Sequence, residues 1–555
     1  MAKDKKKKQK KEKKKKKKVD QSSSTLSQSY ARKGKVAVPE VTLGQNIDRS
    51  GDKLFLGTDY REVHIPERPW VEILWDTEHW TPLPFTHGIE MELIIADDNG
   101  DYPPGEEMVY RMKEIVKDAI KIMDEILYEG RDDFLPVPDY IRQKVLARPW
   151  GRDDLEKGYA MNLRYALGDS YVDIDAFARD GNVTAITYIL ELVSPPCIYV
   201  EELAYWCSTL FLLAKATLPK DLHIIASAIN PATREYMRGV SQADHSHLGS
   251  FNSELEKIQA YCMIRNFIPH LIALTCNSPI LNNKPTDVVK IINRRITAPN
   301  CTRSLRLKYN TTMLSGNDPK YYIPYLTDLN QNSVNYFLQT VQKASIEDGR
   351  FQDVFPLTDW GTIEVRISDA QISICRRIGV GMLIQAMCYK ARKLLEKGVW
   401  VPDAGSETIA TNRQGAIERG LISLFRPINI TREKLAQYDP EFAKQYLGPK
   451  NQPIRYMMQA VQRMFFYLKD VLKELGFLYS PFMKPLLQSV FGSVSYAEPP
   501  ITEAEYQLSL YDYKLKNGEN PSILFDLIYF TIQYCQDPLN NPLTGILTLP
   551  KEMRD

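Results

Sequence analysis

The sequence has no C-x-x-C pair, no long apolar run and no Gly-rich phosphate loop, and each absence excludes a class of protein. Its eight cysteines (Cys197, Cys207, Cys262, Cys276, Cys301, Cys375, Cys388 and Cys535) are scattered, mostly within apolar stretches. Zinc ribbons and disulfide scaffolds need clustered thiols, so reduced, buried cysteines in a cytoplasmic protein are expected. No window approaches the ~18–20 apolar residues of a membrane span. The best stretch, "MIRNFIPHLIALTC", carries Arg265 and His270, so a soluble chain is expected. The start lacks the apolar segment of a signal peptide. The patterns GxxxxGK[ST], GxGxxG and HExxH do not occur, which removes P-loop, Rossmann and zinc-protease chemistry. No internal repeat is visible.

What is present is a long chain with a lopsided charge. At 555 residues and 44% hydrophobic content it can bury large cores in two to four domains. Residues 1–18 hold thirteen lysines against Asp4 and Glu12, a charge of +11, so the net +2 of the whole chain leaves the remainder at about −9. Residues 1–50, Lys-rich and then Ser-rich, read as a disordered tail. Such a tail suits weak contact with anionic polymers or lipid headgroups, or serves only as a solubilising extension. Poly-lysine without interleaved aromatics lacks the stacking groups of a dedicated nucleic-acid binder.

From about residue 60 the pattern mixes helix and strand. Residues 85–97 read as a strand and 106–129 as an amphipathic helix stopped by Gly130. Residues 171–193 suggest a hairpin turning through "RDGN". Helices are expected near 199–217, 252–275, 373–396 and 409–424, and strands at "DLHIIASAI", "RSLRLKY" and "GTIEVRIS". After about residue 430 the pattern is helical.

The strands carry charge where a half-buried strand normally carries aliphatic groups. In "THGIEMELII", Glu90 and Glu92 lie two residues apart and so share a face. The same holds for Arg306 and Lys308 in "RSLRLKY", read as a strand, and for Glu364 and Arg366 in "TIEVRISD"; Glu191 in "LELVSPP" and His245 and His247 in "DHSHLG" complete the set. Taken singly, an ExE pair can be a solvated face and two histidines can be structural. Asp173 and Asp175 in "VDIDAF" can be ligands or an edge-strand charge pair. If the faces meet, burying so many charges costs several kcal/mol each unless something neutralises them. Carboxylates with imidazole suit Mg²⁺ or Mn²⁺, and neighbouring arginines suit phosphate oxygens. Metal, phosphate and cations together are the apparatus of phosphoryl transfer.

The ordered series "GIEMEL", "LELVSPP", "HSHLG", "LTCNSP", "TRSLRL", "TIEVRISDAQ" and "NRQGAIERGL" resembles the type 2 glutamate–cysteine ligase and carboxylate–amine ligase family of the glutamine synthetase superfamily. The resemblance covers residues 85–425. It implies an α+β fold in which a curved antiparallel sheet forms a funnel of glutamine synthetase type flanked by helices. A catalytic domain over 51–430 and a helical extension over 431–555 follow. It further implies ATP and Mg²⁺ as cofactors, and glutamate and an amine such as cysteine as substrates joined through an acyl phosphate. On this reading Glu90, Glu92, Glu191 and Glu364 hold metal, with His245 or His247 completing a site. Arg303, Arg306, Lys308 and Arg366 meet phosphate or the substrate carboxylate, with His247, Arg413 and Arg419 as further nucleotide contacts. Glu90, Glu364, Arg306 and Arg366 are the expected catalytic set. Asn230 stands where the family has a histidine. Alternatives are a ligase of the same mechanism with other substrates, a non-catalytic nucleotide-binding scaffold tethered by the tail, and either state of association, monomer or homo-oligomer.

Overall fold

The computed structural model describes residues 70–101, 121–147, 189–233, 242–285, 302–310, 353–356, 361–428, 431–448, 453–491 and 502–531, with 118, 291–292, 295–296, 334–339, 358 and 450. The Lys-rich tail, Asp173, Asp175, the "RDGN" turn and most of the expected helix over 106–129 lie outside the described residues. The end of that helix is present. Its last turn widens over Glu125–Glu129, and Gly130, at φ 80°, donates its N–H back to Glu125 O.

The centre is a seven-stranded antiparallel sheet. Its members are β1 (Pro82–Ala96), β2 (Ile189–Val193), β3 (Cys197–Tyr199), β4 (His223–Ile225), β5 (Ala243–Gly249), β6 (Val354–Phe355) and β7 (Ile363–Asp369). The spatial order is β6-β7-β5-β1-β2, and β3 and β4 also pair with β1. β1 organises the rest because its alternation is strict. Phe85, Ile89, Met91 and Leu93 are buried on one face while Glu90 and Glu92 are half-buried on the other. Burying Ile89, Met91 and Leu93 contributes about 2 kcal/mol each, so a one-residue slip that turned them outward would cost about 6 kcal/mol and bury the glutamates as well.

Helices cover the apolar face. α1 (Val200–Thr217) lies against β1, β2 and β3; α2 (Glu254–Thr275) against β7; and α4 (Ile374–Glu396) against β1 and β5. Ser253 and Ser373 start α2 and α4 by accepting the N–H of Glu256 and Arg376, satisfying donors that the helices leave open. Gln385 of α4 accepts from Phe85 N and donates to Phe85 O, fixing the helix to β1. The same core continues into α6 (Met457–Glu474) and α7 (Lys484–Phe491). Among the described residues, no helix is long and apolar enough to cross a membrane. The six described cysteines are free and buried.

One expected strand is a helix. "RSLRLKY" forms α3 (Leu305–Asn310), with Ser304 accepting the Leu307 N–H. A five-residue alternation fits either period, and the capping serine decides it. Arg306 and Lys308 therefore diverge instead of sharing a face. Arg306 donates to Asp369 Oδ1 at 2.9 Å, while Lys308 reaches Glu418 at 2.8 Å.

Helix α8 (Glu503–Lys516) is bound to this framework by charge. Thr502 caps it, Glu505 takes the Arg303 guanidinium through Nε at 2.7 Å and Nη2 at 3.1 Å, and Glu503 accepts the Ile372 N–H at 2.8 Å beside Arg376. Removing one partner of a buried pair strands the other charge. Glu505→Gln should therefore lower stability by about 3 kcal/mol in denaturant unfolding, while Arg303→Met with Glu505→Leu should recover most of the loss. Equal destabilisation in both variants would contradict this account of the pair.

Two buried histidines set the acid response. His87, on β1 and packed against Gly381 and Gln385 of α4, is pushed down to about 3 by burial and then by His247, and His270, among Phe267, Phe425 and Tyr446, is pushed down to about 3 by burial. The unfolded chain takes up protons near 6.5 that the folded chain refuses until about 3, so stability present above 6.5 is lost as the pH falls. Each group contributes a slope approaching ~1.4 kcal/mol per pH unit in that window. Melting temperature should fall from pH 7 to pH 5, and less steeply in His270→Gln.

Candidate active site

The strand register brings the expected acids and imidazoles together. Glu90 on β1 lies directly opposite His245 on β5, Gly88 opposite His247, and His247 in turn opposite Glu364 on β7. Glu92 lies opposite Glu191 on β2. Directly paired residues share a face, so Glu90, Glu92, His245, His247 and Glu364 rise on the side of the sheet away from the helical core. Arg366 joins them at a register shift, where β7 carries one residue more than β5 between Val365 and Ser368.

Side chains converge tightly. His245 is buried, with Nδ1 3.2 Å from Glu90 Oε2 and 3.6 Å from Glu364 Oε1, and Nε2 3.8 Å from Glu92 Oε2. His247 Nε2 lies 3.1 Å from Glu90 Oε1 and 3.9 Å from Glu364 Oε1. Its Nδ1 is 3.2 Å from Thr362 Oγ1. Arg366 pairs with Glu364.

The electrostatics follow from that crowding. Burial raises the Glu90 carboxyl, but His247 and His245 outweigh it and hold Glu90 well below the usual carboxylate range. Burial lowers His247, and the Glu90 and Glu364 carboxylates override it to a net rise. Burial likewise lowers Arg366, and Glu364, Glu92 and Glu90 more than restore it. With neutral imidazoles, three carboxylates face one guanidinium. Two like charges at the 4.8 Å that bounds the ligand atoms of Glu90, His247 and Glu364 repel by about 3 kcal/mol at an effective dielectric near 20.

A divalent cation fits these residues. Glu90, His247 and Glu364 offer two carboxylate oxygens and an imidazole nitrogen all within 4.8 Å of one another. His247 Nε2 is buried and makes no hydrogen bond of acceptable geometry, so it is a donor atom without a proton partner. Oxygen with a single imidazole suits Mg²⁺ or Mn²⁺.

The other expected cations stand apart from this cluster. Arg306 is held by Asp369 Oδ1 and donates to Arg366 O at 2.9 Å, which ties it to the backbone of β7. Arg303 is held by Glu505 and Arg413 by Asp353, the latter through Nη2 at 2.7 Å. Lys308 meets Glu418, and Arg419 is exposed at the end of α5 (Ser406–Arg419). Asn230 is structural, donating to Gly100 O and accepting from Ala232 N. Sequence reasoning missed Asp369, which gathers Arg306, Ser304, Ser278 and the Asn277 N–H. Its position in "TIEVRISD" gave no sign of that role, because its partners come from distant segments. Thr362, immediately before β7, was missed too; lying two residues before Glu364, it was within reach of the same alternation argument.

No family model matches the chain. A protein described as "Putative glutamate--cysteine ligase 2" from Gloeobacter violaceus is 27% identical over 179 residues, 32% of this chain and 43% of that protein. One with the same description from Janthinobacterium sp. is 25% identical over 198 residues, 35% of this chain and 47% of its own. The matched stretch thus spans less than half the length of these curated relatives. Among solved structures, a glutamate–cysteine ligase from Francisella tularensis in complex with AMP aligns with 84% of this chain and 91% of its own, at 10% identity and a TM-score of 0.42. Over about a third of its length the chain is thus similar in sequence to proteins described as type 2 glutamate–cysteine ligases.

Proposed function

We propose that this chain is an ATP- and Mg²⁺-dependent carboxylate–amine ligase that activates the side-chain carboxylate of glutamate and joins it to an amine, cysteine first among the candidates. The observation that carries the reading is the convergence of Glu90, His247 and Glu364 on one face, with Arg366 beside them. The excess negative charge of that face suits metal-bound nucleotide, and the sequence similarity to glutamate–cysteine ligases supports the substrate class.

The bound metal would supply neutralisation of phosphate charge. Glu90, Glu364 and His247 would hold it, and a second ion would fall to Glu92 and to the Glu191 position opposite it in the register of β1 and β2. His245, placed between Glu90, Glu92 and Glu364, keeps those carboxylates oriented. Arg366 is the cation closest to the metal face and would meet the transferring phosphoryl group once Glu364 is drawn toward metal. Arg306 would act from beneath by fixing the β7 backbone at Arg366. The glutamate carboxylate attacks the γ-phosphorus of ATP, ADP leaves, and the amine displaces phosphate from the acyl phosphate to form the amide. Curvature of the sheet into a funnel of glutamine synthetase type belongs to this reading.

ADP and phosphate should appear only when ATP, glutamate and an acceptor amine are all supplied, as a phosphate-release assay across a panel of amino acids would record. Glu90→Gln and Glu364→Gln should each reduce turnover by about 100-fold or more, as expected when a ligand is lost. Full turnover in both variants would overturn the assignment. Chelation should abolish phosphate release and Mg²⁺ or Mn²⁺ should restore it, whereas metal-independent turnover would exclude the proposed site.

A further inference from the structure

The two histidines of β5 face the same carboxylates in different ways. Both nitrogens of His245 look onto carboxylate oxygens, Nδ1 onto Glu90 and Glu364 and Nε2 onto Glu92. Only Nε2 of His247 does so, because its Nδ1 is taken by Thr362 Oγ1 at 3.2 Å. That difference allows the protons around His247 to be counted.

Thr358 Oγ1 donates to the Thr362 carbonyl at 3.1 Å and accepts the Thr362 N–H at 2.9 Å. A hydroxyl has one proton, and when Thr358 spends it on the Thr362 carbonyl it can only accept from its other neighbour, Thr362 Oγ1, 2.7 Å away, a pair in which either oxygen can donate. In that arrangement Thr362 donates to Thr358 and so uses its own single proton. Toward His247 it can only accept, so the neutral imidazole carries its proton on Nδ1 and presents a lone pair at Nε2. That lone pair points at Glu90 Oε1 and Glu364 Oε1, 3.1 and 3.9 Å away, an arrangement that is repulsive until a second ring proton or a metal cation lies among the three.

The surroundings hold this geometry. Thr362 is β-branched and stiff about χ1. Its methyl sits over Gly249, where an added Cβ would come 3.3 Å from Thr362 Cγ2 and 2.8 Å from Thr86 Oγ1. Gly88, opposite His247, puts no side chain beside the imidazole.

We propose that Thr362, backed by Thr358, is a positioning residue that fixes His247 as the Nδ1–H tautomer and reserves Nε2 for a divalent cation shared with Glu90 and Glu364. This rests on the metal site of the preceding reading, and it assigns the ligand role to His247 and the carboxylate-orienting role to His245. The partner of a ligating imidazole's second nitrogen commonly changes metal affinity by about 10–100-fold.

The test uses the full chain labelled with ¹⁵N in its histidine side chains, free of metal, at a pH high enough to keep His247 neutral. Long-range ¹H–¹⁵N correlations read the tautomer, and the His247 signals are assigned by their loss in His247→Gln. Wild type and Thr362→Ser should show the Nδ1–H form. Thr362→Val, nearly isosteric, should move the population toward Nε2–H and weaken binding of Mn²⁺ alone by about 10–100-fold in electron paramagnetic resonance titration, with Thr362→Ser close to wild type. A wild-type ring protonated at Nε2, or a Thr362→Val variant with unchanged tautomer or unchanged Mn²⁺ affinity, overturns the proposal while leaving the metal site standing. Mn²⁺ that binds without broadening the His247 signals overturns the metal site itself and, with it, the purpose assigned to Thr362.

Discussion

Everything at the candidate site depends on the antiparallel pairing of β1 with β5. Its register sets Glu90 across from His245 and Gly88 across from His247, and β7 then inherits the position of Glu364 from its pairing with His247. The pairing is held in place from the other side of the sheet. Ile89, Met91 and Leu93 are buried against helices, so the apolar face pins the register that the polar face uses. Hydrophobic burial, which has no direction of its own, thereby aims two carboxylates at one imidazole.

Around that pairing runs a set of buried ion pairs whose function is architectural. Asp369 holds Arg306, Asp353 holds Arg413, Glu505 holds Arg303, and Asp244 holds Arg377 at 2.8 Å. Each guanidinium joins segments far apart in sequence. Arg366 is the exception among the site's arginines: its partner is Glu364, one of the carboxylates of the cluster itself.

Alternation within β1, β5 and β7 was legible in the sequence, because side chains two residues apart on a strand share a face whatever the tertiary context. The helices over Val200–Thr217, Glu254–Thr275 and Ile374–Glu396 lie within a residue or two of the positions that their apolar patterns suggest. α3 was misread because a short S-L-R-L-K alternation fits helix and strand alike, and Ser304, which settles it, also serves Asp369 across the fold. The counter-ions of the arginines could not be read from the sequence at all. The sequence separation of Arg303 from Glu505 is 202 residues, and no local pattern encodes such a pairing. Thr362 lies between these cases, since its face could be inferred while its hydrogen-bond polarity depends on Thr358.

The first turn of α8 has a consequence for how the protein is made. Glu503 and Glu505 supply the negative charge beside Arg376 and Arg303, and these carboxylates follow the strands of the site in sequence. During synthesis, β1, β5 and β7 have all emerged more than a hundred residues before those glutamates. Until then two arginines that end up almost fully buried lack these counter-charges, and closing the core over them is unfavourable. The acid-lined face is thus assembled late, its final form contingent on a helix that takes no part in lining it.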